Sequence, residues 1–191
     1  MPKKFYPIAA SFIAALAVGF VFGLIGGFDT ATAAIAVIAG TLTFVIMHNL
    51  SGNRRVANAD QATRTRALAF ELWPDKTALY LVRTGFVGKA AGMNISLDGK
   101  TVAQLKSPRF TRLDIDPGAH TVTASFGGGL AGQTKPVDFQ FVSGPSEIVV
   151  LKLSMGIGAI KNPVKIERVS ADSVRADLAG MQMTAADVTG A

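Results

Sequence analysis

The chain has 191 residues, 49% of them hydrophobic, a net charge of +6 and no cysteine. That length holds one modest folded domain beside an apolar segment, and the lack of cysteine excludes disulfides, thiolate chemistry and a lipid-modified cysteine anchor. The basic excess forms no dense run interleaved with aromatic residues, so a nucleic-acid partner is not expected.

The apolar segment comes first. Residues 5–27 carry no charge, and neither do residues 31–50. At about 1.5 Å of rise per residue, each run as a helix covers the roughly 30 Å hydrocarbon core of a bilayer. Only Phe28-Asp29-Thr30 stands between them, with Gly26 and Gly27 leading in. The pattern predicts a hairpin of two transmembrane helices over residues 1–50, with spans at about 5–27 and 31–50. Lys3 and Lys4 precede the first span, Arg54, Arg55, Arg64 and Arg66 follow the second, and the turn between has no Lys or Arg. The excess of basic residues on the inner side of membranes then places both termini, and everything after residue 50, in the cytoplasm. A cleaved signal peptide would fit the lysine pair and Ala15-Leu16-Ala17, but the apolar run continues well past that point and a second run follows at once.

The spans carry a stripe of small residues. Ala15, Gly19, Gly23 and Gly27 recur every fourth position, and Ala36 and Gly40 repeat the spacing on the second run. Such stripes let backbones approach closely, either within one hairpin or between the hairpin and another membrane chain. No ionisable residue lies in the middle of either span, which argues against a transporter, channel or proton path; His48 is near an end.

Residues 51–77 read as a linker. Its first part is polar, with Val56 the one strongly apolar residue, and suits a loop or an extension of the second helix. Residues 67–72 are an apolar patch, and Trp73-Pro74-Asp75 is a turn, with Trp73 expected in the core or at the membrane interface. The pattern then changes to short strands separated by Gly, Pro and Asp. Residues 78–84 are rich in strand formers, and residues 85–92 form a loop with three glycines. Residues 94–97 and 101–105 flank Asp98-Gly99, a hairpin turn. Residues 110–115 alternate, with Phe110, Leu113 and Ile115 as core candidates. Asp116-Pro117-Gly118-Ala119 has the signature of a type II turn. Val122, Ala124 and Phe126 share one face of the next strand, and Val137, Phe139 and Phe141 alternate with Asp138 and Gln140. Residues 147–153 and 164–169 complete eight short strands, which predicts an antiparallel β-sandwich over residues 78–169. In residues 170–191, Ser170 suits a helix N-cap, and Val174, Leu178 and Met181 form one apolar face of a helix running to about Met183.

The candidate chemistry is thin. Gly127-Gly128-Gly129-Leu130-Ala131-Gly132 has the spacing of a dinucleotide loop, but an alternating strand follows where a helix N-terminus is required. His120 has no second histidine or cysteine near it for a metal site. Asp114 and Asp116 share a strand face with Arg112, which balances charge better than it does acid–base work. No catalytic, cofactor or metal-binding residue is predicted. The residues left for contact with lipid headgroups or a partner are Arg54, Arg55, Arg64, Arg66, the cluster Lys106, Arg109 and Arg112, and Leu130 at the tip of the glycine loop.

Several motifs together carry a resemblance: Tyr80-Leu81-Val82-Arg83, the strand into Leu97-Asp98-Gly99-Lys100, the run from Leu113 through Pro117-Gly118-Ala119-His120-Thr121-Val122, and Leu153-Ser154-Met155-Gly156-Ile157 before a charged strand and a helix. Over about residues 78–183 the chain resembles small bacterial β-sandwich domains of unknown function, usually found in lipoproteins and similar to PEGA domains in the Pro-Gly-x-His-x-Val turn. The resemblance implies an Ig-like or prealbumin-like sandwich with no established chemistry. Here it is fused to a membrane hairpin in place of a lipid anchor, which implies the bacterial inner (cytoplasmic) membrane. The expected function is a non-enzymatic, inner-membrane-anchored interaction or scaffolding module, in contact with membrane lipids and part of a homo-oligomer or a larger membrane complex. The alternative is a module that binds a lipid or small apolar ligand at the membrane surface.

Overall fold

A computed structural model of the chain describes residues 5–26, 30–50, 52–86, 88–126, 135–156 and 164–187. They form two compact units, a helical pair ending at Asn53 and a β-rich domain from Arg54 onward.

The helical unit consists of α1 (Phe5–Gly26) and α2 (Thr30–Leu50). They pack antiparallel, with their smallest residues at the seam. A Cβ added to Gly40 would stand 2.8 Å from the Ala15 Cβ and 3.1 Å from the Ser11 carbonyl oxygen, and one added to Gly19 would stand 3.4 Å from the Ala36 Cβ. The large apolar side chains point outward: Phe12, Ile13, Leu16, Phe20, Leu24, Val37, Ile38 and Leu42 are all exposed. Two α2 hydroxyls are satisfied inside the helix, Thr41 donating to the Val37 carbonyl and Thr43 to the Ala39 carbonyl, each at 2.8 Å. Within α2, Thr30–His48 spans 19 residues at a mean hydropathy of 2.0 and is long and apolar enough to cross a membrane; the apolar stretch described within α1, Ala9–Ile25, is shorter.

The β-domain begins with structure inside the predicted linker. Residues Gln61–Leu68 form α3, neither loop nor an extension of α2. Asp60 caps it, accepting from the Thr63 N–H at 2.8 Å and the Thr63 hydroxyl at 2.7 Å, and the Thr63 amide bond holds its carboxyl below the usual range.

The eight predicted strands are all present: β1 (Thr77–Arg83), β2 (Met93–Leu97), β3 (Lys100–Leu105), β4 (Arg109–Ile115), β5 (Gly118–Phe126), β6 (Val137–Ser143), β7 (Ile148–Met155) and β8 (Val164–Val169). Helix α4 (Ala171–Gly180) follows, and then a two-residue strand, β9 (Gln182–Met183). The predicted C-terminal helix therefore stops short of Met183, which joins a sheet. One sheet has the order β3-β2-β5-β6 and is antiparallel throughout; the other has the order β8-β7-β1-β4-β9. In the second, β1–β7 and β4–β9 are parallel, so the arrangement is mixed where a wholly antiparallel one was expected.

Strand β1 organises the domain, because all seven of its residues are buried. Ala78, Tyr80 and Val82 pack on one face with Ala67, Phe70, Val174, Leu178 and Met181 from α3, α4 and the turns beside them. Leu79 and Leu81 face the other way, toward the four-stranded sheet, whose Met93, Ile95, Val122 and Ala124 are also fully buried. The result is three layers, helices on sheet on sheet. A strand covered on both faces loses the apolar–polar alternation of a half-exposed one, and Ala78-Leu79-Tyr80-Leu81-Val82 is such a continuous run. At the Asp98-Gly99 turn both residues have positive φ, 49° and 80°, which a two-residue hairpin with the right twist requires. Gly118 has φ 145°, wider than the type II turn expected there.

Candidate functional site

Two ends of the β-domain gather polar side chains, and they differ in kind. The first lies where β1 and β3 end and β2 and β4 begin. Arg83, the last residue of β1, is 1% exposed. Its guanidinium donates to the carbonyls of Gly88 at 2.6 Å, of Ala91 and of Leu105, and stands 5.1 Å from the centre of the Phe126 ring. No carboxylate faces it in these contacts, and burial lowers its pKa to about 10, so it stays charged at neutral pH.

Arg83 thereby ties the β1–β2 loop to the ends of β3 and β5. The loop holds itself as well: Lys89 N–H donates to the Phe86 carbonyl, Ala91 N–H to the Gly88 carbonyl, and from the β3–β4 loop Ser107 donates through its N–H to the Lys89 carbonyl and through its hydroxyl to the Gly85 carbonyl. Gly88 has φ +64°, and a Cβ there would lie 2.6 Å from the Met155 sulfur. At the tip of this braced loop, Phe86 is 87% exposed. The chain joins the domain at the same end, with the Arg54 N–H donating to Gln104 Oε1 at 2.6 Å and Gln104 Nε2 donating to Asn94 Oδ1.

The second end holds the β2–β3 and β4–β5 turns. His120 bridges them, with Nδ1 2.7 Å from Asp98 Oδ2 and Nε2 2.8 Å from the Asp116 carbonyl oxygen. Both neighbours are acceptors, so both ring nitrogens must carry a proton for both bonds to form. Burial works against that charge, but the Asp98 carboxylate and the Asp116 carbonyl outweigh it and raise the His120 pKa above 6.5. Lys76 pairs with Asp116 at 2.5 Å, which lowers the Asp116 pKa and raises that of Lys76. Glu147 accepts from the Gly144 N–H and from Arg168 at this end. These contacts hold the β2–β3 and β4–β5 turns together.

The predicted contact residues divide. Arg54 pairs with Asp187 at 2.9 Å, and Arg55 beside it is exposed. Arg109 begins β4 opposite Arg83, donating to Asn58 Oδ1 at 3.3 Å, and Lys106 lies just before it. These four are at the Phe86 end. Arg64 is occupied elsewhere, donating to the Ala179 and Met181 carbonyls at the C-terminus of α4. Arg112 is also engaged: it donates to the Glu71 and Arg66 carbonyls, pairs with Asp114 at 2.8 Å and lies over the Tyr80 ring. That pairing is the charge balance expected from the strand spacing. Arg66 and Arg112 line a small open pocket with Glu71 and a half-exposed Trp73, which is neither core nor at the Phe86 end. Of the small-residue stripe, Ala15, Gly19, Ala36 and Gly40 face one another within the helix pair, Gly23 is half-buried one turn further along α1, and Gly27 lies outside the described residues. Leu130 and the whole glycine loop at 127–132 also lie outside them.

Sequence reasoning passed over Arg83 and Phe86. The available signal was a large aromatic residue and a valine set between glycines where no strand periodicity would bury them. Comparison with protein-family models and with curated proteins returns no match for this chain.

Proposed function

We propose that this chain is a membrane-anchored, non-enzymatic interaction module: α1 and α2 as two transmembrane helices, and the β-domain as a PEGA-like sandwich held on the cytoplasmic side of a bacterial inner membrane. The observation that carries it is the inverted packing of the helix pair. Glycine and alanine occupy the seam, while Phe12, Leu16, Phe20, Leu24, Ile38 and Leu42 face outward. In water that surface would aggregate; in hydrocarbon it is at rest. The basic residues on both flanks support cytoplasmic placement. Because the small-residue seam is used within the helix pair, assembly with a second copy or a partner is assigned to the β-domain, whose two sheets end, among the described residues, at β3 and β6 and at β8 and β9. The reading of a ligand held between the sheets is not favoured, since Leu79, Leu81, Met93, Ile95, Leu151 and Leu153 occupy that space at 0% exposure.

The test uses the absence of native cysteine. Thr101→Cys puts one thiol on an exposed strand beside the Gly99 turn. The chain should stay in the membrane fraction after an alkaline carbonate wash, and a membrane-impermeant maleimide should label it only after cells are lysed. Release by carbonate would end the anchoring reading, and labelling of intact cells would reverse the sidedness. A detergent-extracted particle of monomer size would remove the assembly.

A further inference from the structure

We propose that the Phe86 loop is a lipid-contacting tip, which enters the headgroup region of an anionic bilayer and fixes how the β-domain stands on the membrane. The inference rests on the anchoring reading above and adds to it a specific contact surface. Three observations carry it. The first is that the tip is apolar and braced. Phe86 is 87% exposed, and the backbone on either side of it is held, with Ser107 bonded to the Gly85 carbonyl and Arg83 to the Gly88 and Ala91 carbonyls. A buried charge has been committed to three carbonyls of this end, which fixes the geometry of the loop before any partner arrives.

The second is charge. The end around Phe86 carries Arg54, Arg55, Lys89, Lys106 and Arg109, with Asp187 paired to Arg54. At the other end Lys76, Arg168 and His120 are each matched by an acid, Asp116, Glu147 and Asp98. The basic excess of the domain therefore sits where the exposed aromatic ring sits. An apolar side chain ringed by Lys and Arg matches a surface of anionic headgroups over acyl chains.

The third is connectivity. Arg54 is docked on Gln104 at this end, and only three residues separate it from Leu50, the last residue of α2. The four residue-to-residue steps from 50 to 54 reach at most about 14 Å. A bilayer crossed by α2 is thus within reach of this end of the domain.

The experiment uses the full chain reconstituted into vesicles of phosphatidylglycerol and phosphatidylethanolamine. Ala90→Cys, exposed on the same loop, carries an environment-sensitive nitrobenzoxadiazole label with Phe86 left in place; Thr101→Cys carries the same label at the other end. Lipids bearing a nitroxide on the acyl chain are the quencher. The expected result is severalfold stronger quenching at position 90 than at position 101. It should weaken when Phe86→Ser is added or when phosphatidylcholine replaces the anionic lipid. Equal, weak quenching at both positions in a chain that floats with the vesicles would overturn the lipid tip and leave the anchoring intact. A blue-shifted label at position 90 that lipid does not quench would also overturn it, by showing that the loop is covered by protein. A chain that fails to float would refute the anchoring itself and the tip with it.

Discussion

The helix pair and the β-domain pack by opposite rules. Between α1 and α2 the contact is made by Ala15 against Gly40 and Gly19 against Ala36, while Phe12, Leu16, Phe20 and Leu42 face out. In the β-domain the largest apolar side chains are inside, with Leu79, Leu81, Phe110 and Leu178 at 0% exposure, and charged residues ring the outside. Burial of apolar area drives the second arrangement in water; on the membrane-anchored reading proposed above it drives nothing between α1 and α2, and close backbone approach takes its place. The two regions are therefore sensitive to different changes. The domain should suffer most from loss of a buried polar network or of core volume, and the helix pair from any added atom at the seam.

The largest effect is expected in the domain at Arg83. Arg83→Met keeps much of the apolar stem but removes the guanidinium's bonds to the carbonyls of Ala91, Leu105 and Gly88, the last of which keeps only the Ala91 N–H. Losing these charge-assisted bonds at a buried site should cost about 3 kcal/mol. The urea midpoint of the β-sheet circular dichroism of the full chain in detergent measures it; an unchanged midpoint would show that these bonds contribute nothing net.

The helix pair should respond next, and in a graded way. A Cβ at Gly40 meets Ala15 Cβ at 2.8 Å, closer than carbon atoms pack, while one at Gly19 meets Ala36 Cβ at an ordinary 3.4 Å. Gly40→Ala should therefore weaken the pair, by about 1–3 kcal/mol for such overpacking, and Gly19→Ala should be close to neutral. Thermal loss of the helical signal separates the two variants. Equal tolerance at both sites would mean that the seam lies elsewhere, and would return the small-residue face to a role between chains.

Much of this was legible in the sequence, and the misses have physical causes. Eight strands announced themselves through alternation, strand-forming composition and turn chemistry, and Asp98-Gly99 specified its hairpin. Helix α3 did not, because Gln61–Leu68 buries only Ala67 and has almost no apolar stripe; it is held by its Asp60 cap and its place on the sheet. Strand β9 is two residues long and is held by pairing with β4 and by the Ala59 N–H donating to the Met183 carbonyl, contacts that no local periodicity announces. The basic cluster was misgrouped for a geometric reason. Arg109 and Arg112 are three apart, which would share a face on a helix but falls on opposite faces of a strand. Arg109 therefore stays beside Arg83 at the loop end, while Arg112 turns toward Tyr80 and the helices. The brace at Arg83 depends on carbonyls from two separate segments, the β1–β2 loop and the end of β3, which no local pattern can reveal.

Tyr80 gives a smaller effect, on the helix-covered face of β1. Its hydroxyl donates to the Ala67 carbonyl at 2.7 Å, and its ring stacks on Phe70 at 4.9 Å. Burial pushes its pKa up to about 12, so it remains a donor at every ordinary pH. Tyr80→Phe keeps the stack and removes one bond, for an expected loss of about 1 kcal/mol in the same urea measurement. A loss as large as that of Arg83→Met would mean that α3 detaches when its tether to β1 is cut, making the helix layer a weaker unit than the sheets.

The smallest expected effect is at the other end of the domain and depends on pH. The His120 pKa is raised above its ordinary 6.5, so the stability it adds is fully present below pH 6.5 and is lost as pH rises through the higher folded value. The Asp98 pKa is lowered despite partial burial, because His120 and the Thr121 N–H bond its carboxylate; its contribution is present above 3.8 and is lost as pH falls through the lower folded value. The pair should therefore stabilise the domain most between about pH 4 and 6.5, by less than about 1 kcal/mol given its partial exposure. His120→Gln keeps one polar contact and cannot take the charge. The gap in melting temperature between native chain and variant should be widest near pH 5.5 and narrow toward pH 8.5. A gap that stays constant with pH would show that His120 acts through its packing on the Phe141 ring, 5.6 Å away, and not through its charge. The two ends of the domain would then differ only in that the loop end depends on a buried charge.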